Sequence, residues 1–242
     1  MKHILAWSRG KDSTASGILA KVEGWPLDGI ITVCPDPFSG ESKFIERFEN
    51  FMEMPVEIIS GPRFEDFFFR VKVRGRNAGG IYGWPKMRQR ACANFLKWQP
   101  QARWREQHPD TINVVGIAAN ERRRLIGLKK TGDISYLEQS GITEVQARTL
   151  CIEYNLLHPL YQHFPRLGCV RCPKQRIGSL QLVRLLEKEK WQWALINDHL
   201  SPVTFRPDYT LQELEERFQR QPCFHLTSGC SRPKKRAAEP RG

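Results

Sequence analysis

The sequence predicts an α/β fold: a doubly wound parallel sheet followed by a helical, cysteine-bearing C-terminal part. Two observations support this prediction. Short apolar segments with the length of buried strands alternate with segments of helical period through the first 60 residues, as expected for βαβ units. Beyond about residue 120 the segments have helical period and cysteines become frequent. A chain of 242 residues is long enough for one sizeable α/β domain with a small appended lobe.

The first five elements read β-α-β-α-β. His3–Trp7 is a short apolar strand, and Ser13–Val22 follows with helical spacing. Gly29–Val33 is a continuous apolar strand, Lys43–Met54 is an amphipathic helix, and Val56–Ile59 is a third strand. Because consecutive parallel strands need a crossover helix, this alternation predicts parallel pairing.

The rest of the chain contributes one more strand and mostly helices. The pattern predicts a strand at Asn113–Ile117, an irregular segment at Leu156–Arg176, and helices at Pro85–Trp98, Thr143–Tyr154, Ser179–His199 and Thr210–Arg220. We therefore divide the chain into a sheet domain at residues 1–175 and a helical extension at 176–227. Residues 228–242, rich in Lys, Arg, Pro and Gly, are predicted to be a disordered basic tail.

The charge balance favours polyanionic partners. The chain has 38 Lys and Arg against 26 Asp and Glu, a net charge of +12. A basic surface attracts nucleic acid, although a protein that binds only a small anion can also be basic. No apolar run approaches the roughly 18 residues that span a bilayer, and the N-terminus lacks a signal-peptide pattern. We therefore expect a cytoplasmic enzyme with no membrane segment and with nucleic acid as a partner.

The strongest local signal is Ser8-Arg9-Gly10-Lys11-Asp12-Ser13, between the first strand and the first helix. Free amides and the positive dipole end at a helix N-terminus form an anion site. Gly10 would let the backbone turn and approach a phosphate, while Ser8 and Ser13 add hydroxyl donors. Lys11 would neutralise a leaving phosphate group, and Asp12 could hold Mg²⁺. The Walker A spacing is absent, and a merely structural turn is the alternative.

This loop resembles the S-G-G-K-D-S loop of the adenine nucleotide α-hydrolase-like superfamily, the PP-loop ATP pyrophosphatases, with Arg9 in place of the second-position glycine. Further segments resemble, in the same order, elements of its phosphoadenosine phosphosulfate reductase-like family: Cys34-Pro35-Asp36, Met87–Cys92, Gly116–Arg124, Leu157–Tyr161 and Gly168–Pro173. The resemblance implies binding of ATP with Mg²⁺ and catalysis by Lys11 and Asp12. It also implies an adenosine contact at Asp36 and anion contacts at Arg90, Arg122 and Arg124.

The resemblance leaves more than one activity open. Sulfonucleotide reductases leave the phosphates of their nucleotide intact and have little need of Lys11 and Asp12. They also carry an E-C-G-x-H motif, which the segment Thr227–Ser231 does not match. An ATP pyrophosphatase that prepares an acceptor for sulfur transfer is therefore favoured. The most similar type is the small component of DNA phosphorothioation systems, which works with a cysteine desulfurase; tRNA thiolation enzymes are neighbours. A non-catalytic nucleotide-binding subunit remains the third hypothesis.

The cysteines suggest a metal centre. Cys169-x-x-Cys172 places two thiols in one turn, which suits one corner of a metal or iron–sulfur site. Cys92 and Cys151 are the expected further ligands, and His158 and His163 are substitutes. Members of the family often carry a [4Fe–4S] cluster; zinc and no metal are the alternatives. Cys34 is interpreted either as a sulfur carrier or as a small buried hydrophobe.

Overall fold

The computed structural model describes residues 1–75 and 77–221. In this part of the chain, four strands form one parallel sheet in the order β3-β2-β1-β4. The strands are β1 (Lys2–Ala6), β2 (Gly29–Thr32), β3 (Val56–Ile58) and β4 (Thr111–Val115). The parallel sheet predicted from the alternating pattern is confirmed.

Helices and helical turns make up most of the remaining described chain. They are α1 (Lys11–Glu23), α2 (Glu41–Met52), α3 (Phe64–Phe68), α4 (Ala91–Ala93), a π-helix (Asn94–Trp98), α5 (Gln99–Gln107), α6 (Arg122–Thr131), α7 (Tyr136–Gln139), α8 (Glu144–Glu153), a 3₁₀ turn (Pro159–Gln162), α9 (Ile177–Leu186), α10 (Lys188–Asn197), a second 3₁₀ turn (Asp198–Leu200) and α11 (Leu211–Arg220). No helix in the described ranges is both long and apolar enough to cross a membrane.

The sheet is covered on both faces, which confirms the doubly wound class. Side chains alternate across a strand, so neighbouring residues of β1 enter different cores. Leu5 packs with α1, α2, α7 and α8 in the larger core. Ile4 faces the other side, where Ile31 and Trp104 of α5 complete a smaller cluster. The strand order changes direction between β1 and β4, and ligands of open α/β sheets bind beyond the carboxyl ends of the strands at such a point.

A second large core joins the C-terminal helices to loops of the first half. Trp191 of α10 and Leu214 of α11 are buried with Phe64 and Phe68 of α3 and with Trp84. These aromatic rings make several edge-to-face contacts, including Phe68 with Trp84 at 4.9 Å between ring centroids. The predicted extension therefore shares its core with residues of the predicted sheet domain. The predicted tail lies outside the described residues.

Two predicted helices differ from those in the structure. The predicted Pro85–Trp98 helix begins only at Ala91, because residues 86–90 have one apolar side chain, Met87, and no face to bury. The predicted Ser179–His199 helix is two helices, α9 and α10, separated at Glu187. The Glu187 carboxylate accepts hydrogen bonds from the backbone N and Oγ of Ser39, at 2.6 and 3.1 Å. This long-range partner explains a break that the periodic pattern does not reveal.

Candidate nucleotide site

The predicted phosphate loop connects β1 to α1 at the point where the strand order reverses. Ser13 closes the loop: its Oγ accepts from the backbone N of Ser8 at 3.1 Å, donates to the carbonyl of Gly10 at 3.1 Å, and lies 3.0 Å from Ser8 Oγ. The indole of Trp7 donates to Thr14 Oγ1 and ties the end of the strand to the helix. These hydrogen bonds fix the loop at the N-terminus of α1, an arrangement that suits the binding of an anion.

The unusual backbone conformation in the loop lies at Arg9, not at Gly10. Arg9 has φ of +63°, a left-handed conformation that favours glycine. Gly10 has φ of −77° and ψ of 159°, which any residue adopts. The guanidinium of Arg9 turns away from the loop and pairs with Glu41 at 2.7 Å in a buried contact. The expectation that Gly10 supplies the tight turn is therefore wrong, and Arg9 occupies the conformation that glycine would adopt without strain.

Lys11 is held between two carboxylates at the start of α1. Its Nζ lies 2.6 Å from Asp12 Oδ1 and 3.2 Å from Glu144 Oε1. Burial alone would lower the pKa of Lys11, but the hydrogen bonds and charges of Asp12 and Glu144 outweigh it and raise the pKa. Lys11 therefore stays a cation at neutral pH. Glu144 was missed from the sequence, where nothing distinguishes it from the other residues of the predicted helix Thr143–Tyr154.

Asp12 lies in an acidic setting that a divalent cation would relieve. Burial raises the pKa of Asp12, Lys11 lowers it, and the charges of Glu144 and Glu121 raise it further. The net shift is upward. Asp12 and Glu144 carry more negative charge than the one ammonium group between them, and carboxylate oxygens are the donors that Mg²⁺ prefers. The structure is thus consistent with the expected role of Asp12, without testing it.

A cleft of about 290 Å³ opens beside the loop. Its walls come from the carboxyl ends of β1, β2 and β4, from the π-helix and α5, and from α6; they include Ser8, Arg9, Ser13, Ile31, Val33, Lys97, Trp98, Gln101, Asn113, Gly116, Arg124 and Asp133. Trp98 is 46 % exposed although it is a large aromatic side chain. A π-helix at the rim of a cleft is typical of functional sites. The contribution of Lys97, Trp98 and Gln101 could not be read from the sequence, because no motif marks them.

Gly116 allows the loop and the end of β4 to lie in contact. A Cβ atom at this position would lie 2.3 Å from the backbone N of Ser13 and 2.6 Å from the backbone C of Asp12. Only a residue without a side chain fits against backbone at such distances. Gly116 therefore sets the position of the first turn of α1 relative to the sheet.

The structure separates the predicted arginine contacts. Arg124 lines the cleft, and its Nη1 bonds both carboxylate oxygens of Glu121 at 2.6 and 2.7 Å, so Glu121 orients an arginine. Arg122 is exposed in the first turn of α6, and Arg90 is exposed before α4. Neither Arg90 nor Arg122 lines the cleft among its described residues. The structure places both arginines outside this cleft, and their anion contacts stay a prediction.

Asp36 does not face the cleft, contrary to the expected adenosine contact. Its side chain is fully buried and accepts from the backbone N of Arg171 at 2.7 Å and from the guanidinium at 2.8 and 3.2 Å. The same guanidinium lies over the rings of Phe64 and Trp193 and pairs with Glu65. Asp36 is therefore a structural anchor. A carboxylate committed to a buried arginine has no free oxygen for a ribose.

The anchor fixes the Cys169–Cys172 turn on the segment that follows β2. Besides the contacts of Arg171, the backbone N of Val170 donates to the carbonyl of Asp36 at 3.3 Å. Just beyond the turn, Lys174 Nζ donates to the carbonyl of Gln89 at 2.9 Å, close in sequence to Cys92. Burial and, next, the charge of neighbouring Cys169 raise the pKa of Cys172 to about 11. Burial and Cys169 likewise raise the pKa of Cys92.

Cys151 does not join these three cysteines. It is buried in the larger core, and its Sγ donates to the carbonyl of Lys11 at 3.2 Å, so it supports the loop from below. Within residues 1–75 and 77–221, no three His, Cys, Asp or Glu side chains converge on a point that could hold a metal ion. The four-cysteine site predicted from the sequence is therefore not assembled. Cys92, Cys169 and Cys172 remain a soft-donor set of the right chemical type for iron or zinc.

Three further side chains complete the surroundings of the loop. The hydroxyl of Tyr161 accepts from the backbone N of Lys11 at 3.0 Å. His158 is buried against Phe44 and accepts from the backbone N of Leu160, so it is a packed histidine and not a free ligand. Cys34 donates to Glu41, and burial raises its pKa to about 12, so the thiol is protonated at neutral pH. This state fits a small buried hydrophobe better than a sulfur carrier.

The comparisons with known proteins give distant similarities. No protein-family model matches the chain. An uncharacterised protein of Methanocaldococcus jannaschii is 24 % identical over 201 residues, which cover 78 % of this chain and 40 % of that protein. The chain thus spans about two fifths of the length of that relative. The solved structure of a U34-tRNA thiolase from Methanococcus maripaludis with its [4Fe-4S] cluster overlaps 91 % of this chain and 71 % of the thiolase, at 14 % identity and a TM-score of 0.44. This overlap is too low to support an argument about function.

Proposed function

We propose that this protein is an ATP pyrophosphatase that adenylates a nucleic acid acceptor and so prepares it for sulfur transfer. One observation supports the proposal above all: the loop at residues 8–13 opens onto a cleft at the strand-order reversal, with Lys11 fixed between Asp12 and Glu144. A cation and carboxylates at the N-terminus of a helix are suited to binding and releasing a magnesium polyphosphate.

In the first step, an acceptor oxygen attacks the α-phosphorus of ATP. The bond between that phosphorus and the α–β bridging oxygen breaks, and pyrophosphate leaves with its electron pair. Charge then accumulates on the leaving group, where Lys11 and the amides of the first turn of α1 stabilise it. Asp12, with Glu144 nearby, would hold the Mg²⁺ that accompanies the phosphates. Preorganised positioning and charge account for most of the rate in this scheme.

The adenosine would occupy the cleft between the sheet and the π-helix. Its walls combine apolar side chains, such as Ile31 and Val33, with the exposed ring of Trp98. Polar groups of Gln101 and Asn113 lie on the same walls. An apolar slot with a few polar groups is typical of sites for flat heterocycles.

In the second step, a sulfur nucleophile attacks the activated acceptor atom and AMP leaves. A cysteine desulfurase would deliver the sulfur as a persulfide, and a thiol reductant would complete its release.

DNA is the acceptor that we propose, ahead of tRNA, following the resemblance to phosphorothioation enzymes. Cys169 and Cys172, with Cys92 near them, are the candidate ligands of the predicted [4Fe–4S] cluster or zinc ion. Because the described side chains do not converge on one point, no step of this scheme is assigned to such a group.

Isotope tracing tests the proposal as a whole. The full chain is incubated with a cysteine desulfurase, ³⁵S-cysteine, a thiol reductant and Mg²⁺-ATP, with duplex DNA in one reaction and tRNA in another. We expect ATP-dependent incorporation of ³⁵S into DNA. Incorporation into tRNA alone would replace the acceptor and keep the chemistry. In a further reaction that contains a sulfonucleotide and the thiol reductant, release of sulfite would support a reductase. ATP binding without turnover in any reaction would leave a non-catalytic subunit.

A further inference from the structure

The positive charge of the chain is concentrated in one segment. Between Asp66 and Glu106 there is no acidic residue, and residues 67–105 contain ten basic ones: Arg70, Lys72, Arg74, Arg76, Lys86, Arg88, Arg90, Lys97, Arg103 and Arg105. This segment alone contributes +10, compared with a net charge of +12 for the whole chain. Among the described members, Arg105 forms an ion pair, with Asp133, and none of the others does. Unpaired positive charge at this density attracts polyanions.

The first part of this segment forms a two-stranded ribbon. The chain runs out from α3 and returns antiparallel, with Val71 facing Ile81. Backbone hydrogen bonds of 2.9 Å join Lys72 with Gly79 and Gly80, Tyr82 with Arg70, and Gly83 with Phe68. We call residues 70–75 and 77–82 the basic ribbon.

The basic ribbon presents a charged side and an apolar side. Arg70 and Lys72 both lie against the ring of Tyr82 and so share one side, while Val71 between them faces the other side. Val73 is 84 % exposed, and Arg74 is exposed beside it. Among the described residues, neither Val71 nor Val73 belongs to a hydrophobic core. An exposed ribbon with a row of cations and two free valines is therefore suited to a partner that has both phosphates and apolar groups.

The base of the ribbon contacts the rim of the nucleotide cleft. The guanidinium of Arg70 lies 4.3 Å from the ring centre of Phe95, a residue of the π-helix. The same π-helix contributes Lys97 and Trp98 to the walls of the cleft. A partner bound along the ribbon would thus lie next to the bound nucleotide, where an acceptor must be to attack the α-phosphate.

We propose that the basic ribbon is the docking element for duplex DNA and lies in its major groove. The proposal rests on the function proposed above and adds the surface that holds the acceptor. The major groove of B-DNA is about 12 Å wide and admits a two-stranded ribbon, whereas that of A-form RNA is deep and narrow. Arg and Lys side chains pair with the phosphates along the groove, and apolar side chains contact thymine methyl groups.

Charge reversal on the ribbon tests this proposal. The full chain with Lys72→Glu and Arg74→Glu is compared with a control carrying Lys43→Glu and Lys188→Glu. The control residues are exposed on α2 and α10, form no ion pair within the described chain, and change the net charge equally. Binding of a short labelled duplex DNA is followed by fluorescence anisotropy between about 50 and 200 mM salt.

We expect the ribbon variant to bind DNA at least about tenfold more weakly than the control, with a salt dependence shallower by about two contacts. Equal weakening in both variants would overturn the proposal, because the ribbon would then contribute only net charge. Duplex RNA of the same sequence serves as a second ligand. If it binds wild type as tightly as DNA does, and if the ribbon variant weakens its binding as much, the groove assignment is overturned.

Pyrophosphate release, measured on the same samples, separates this proposal from the proposed function. If wild type releases pyrophosphate but the ribbon variant binds DNA as tightly as the control, the ribbon proposal is refuted and the proposed function stands. A specific loss of DNA binding in a protein that never releases pyrophosphate, with or without DNA, would refute the pyrophosphatase and keep the ribbon as a DNA contact. We expect the ribbon variant to bind ATP as tightly as the control, since neither altered residue lines the cleft.

Discussion

Replacing Gly116 with alanine should displace the phosphate loop without abolishing the fold. The new Cβ would lie 2.3 Å from the backbone N of Ser13, about 1.1 Å closer than the 3.4 Å at which ordinary contact begins. Both sides of the contact are backbone, so either β4 or the first turn of α1 must shift by roughly that amount. Overpacking of this kind costs about 1 to 3 kcal/mol of unfolding free energy. A misplacement of about 1 Å at a catalytic site costs roughly 100-fold in rate.

Gly127→Ala provides the matched control. Gly127 lies inside α6, where an added Cβ meets nothing within 4 Å. The same substitution should there stabilise the helix by up to about 1 kcal/mol. Urea unfolding and pyrophosphate release are measured for both variants. If Gly116→Ala matches wild type in unfolding free energy and in rate, the close contact between β4 and the loop is not what positions the site.

Two further predictions concern buried ionisable groups. Asp36→Asn should lower the free energy of unfolding, measured by urea titration, by about 3 kcal/mol, because Arg171 loses its buried charge partner. The control Asp208→Asn, in an exposed pair with Arg206, should lower it by under about 1 kcal/mol. Similar losses in both variants would mean that the Asp36 pair is not an anchor. Burial and the charges of two nearby arginines lower the pKa of His158 from 6.5 to about 4. Between those pH values the unfolded chain binds a proton that the folded chain does not. The free energy of unfolding therefore falls by on the order of 2 kcal/mol as the pH drops through this window. His158→Gln should show a flatter stability profile between pH 7 and about pH 4.5; an unchanged profile would place the titration elsewhere.

The sequence was sufficient for the sheet and for the loop. Apolar runs of strand length, alternating with helical period, are determined by local burial and therefore predict β1 to β4 with errors of one or two residues. The loop was visible because Gly10, Lys11 and Asp12 stand together at a strand–helix junction. Local chemistry of this kind needs no partner from elsewhere in the chain.

Three of the misses at the site depend on partners distant in sequence. Asp36 was expected at the adenosine because no residue near it in sequence indicates its pairing with Arg171, 135 residues later. Glu144 joins Lys11 across 133 residues. Cys151 was grouped with the other cysteines by residue type, whereas packing of α8 on α1 places it beneath the loop. In each case tertiary packing decided which of several chemically suitable residues meet.

The central claim is that the protein cleaves ATP at the α–β bond with the help of Lys11. Cleavage of Mg²⁺-ATP to AMP and pyrophosphate, measured with and without Lys11, tests it most directly. Wild type, Lys11→Ala and Lys21→Ala are supplied with α-labelled ATP, duplex DNA, a cysteine desulfurase with cysteine, and a thiol reductant; Lys21 lies on the same helix, in its last turn. We expect AMP and pyrophosphate in equal amounts from wild type and from Lys21→Ala. Lys11→Ala should be slower by about 100-fold or more, because the charge on the leaving group is no longer neutralised. Formation of ADP and phosphate, or equal rates with and without Lys11, would contradict the account.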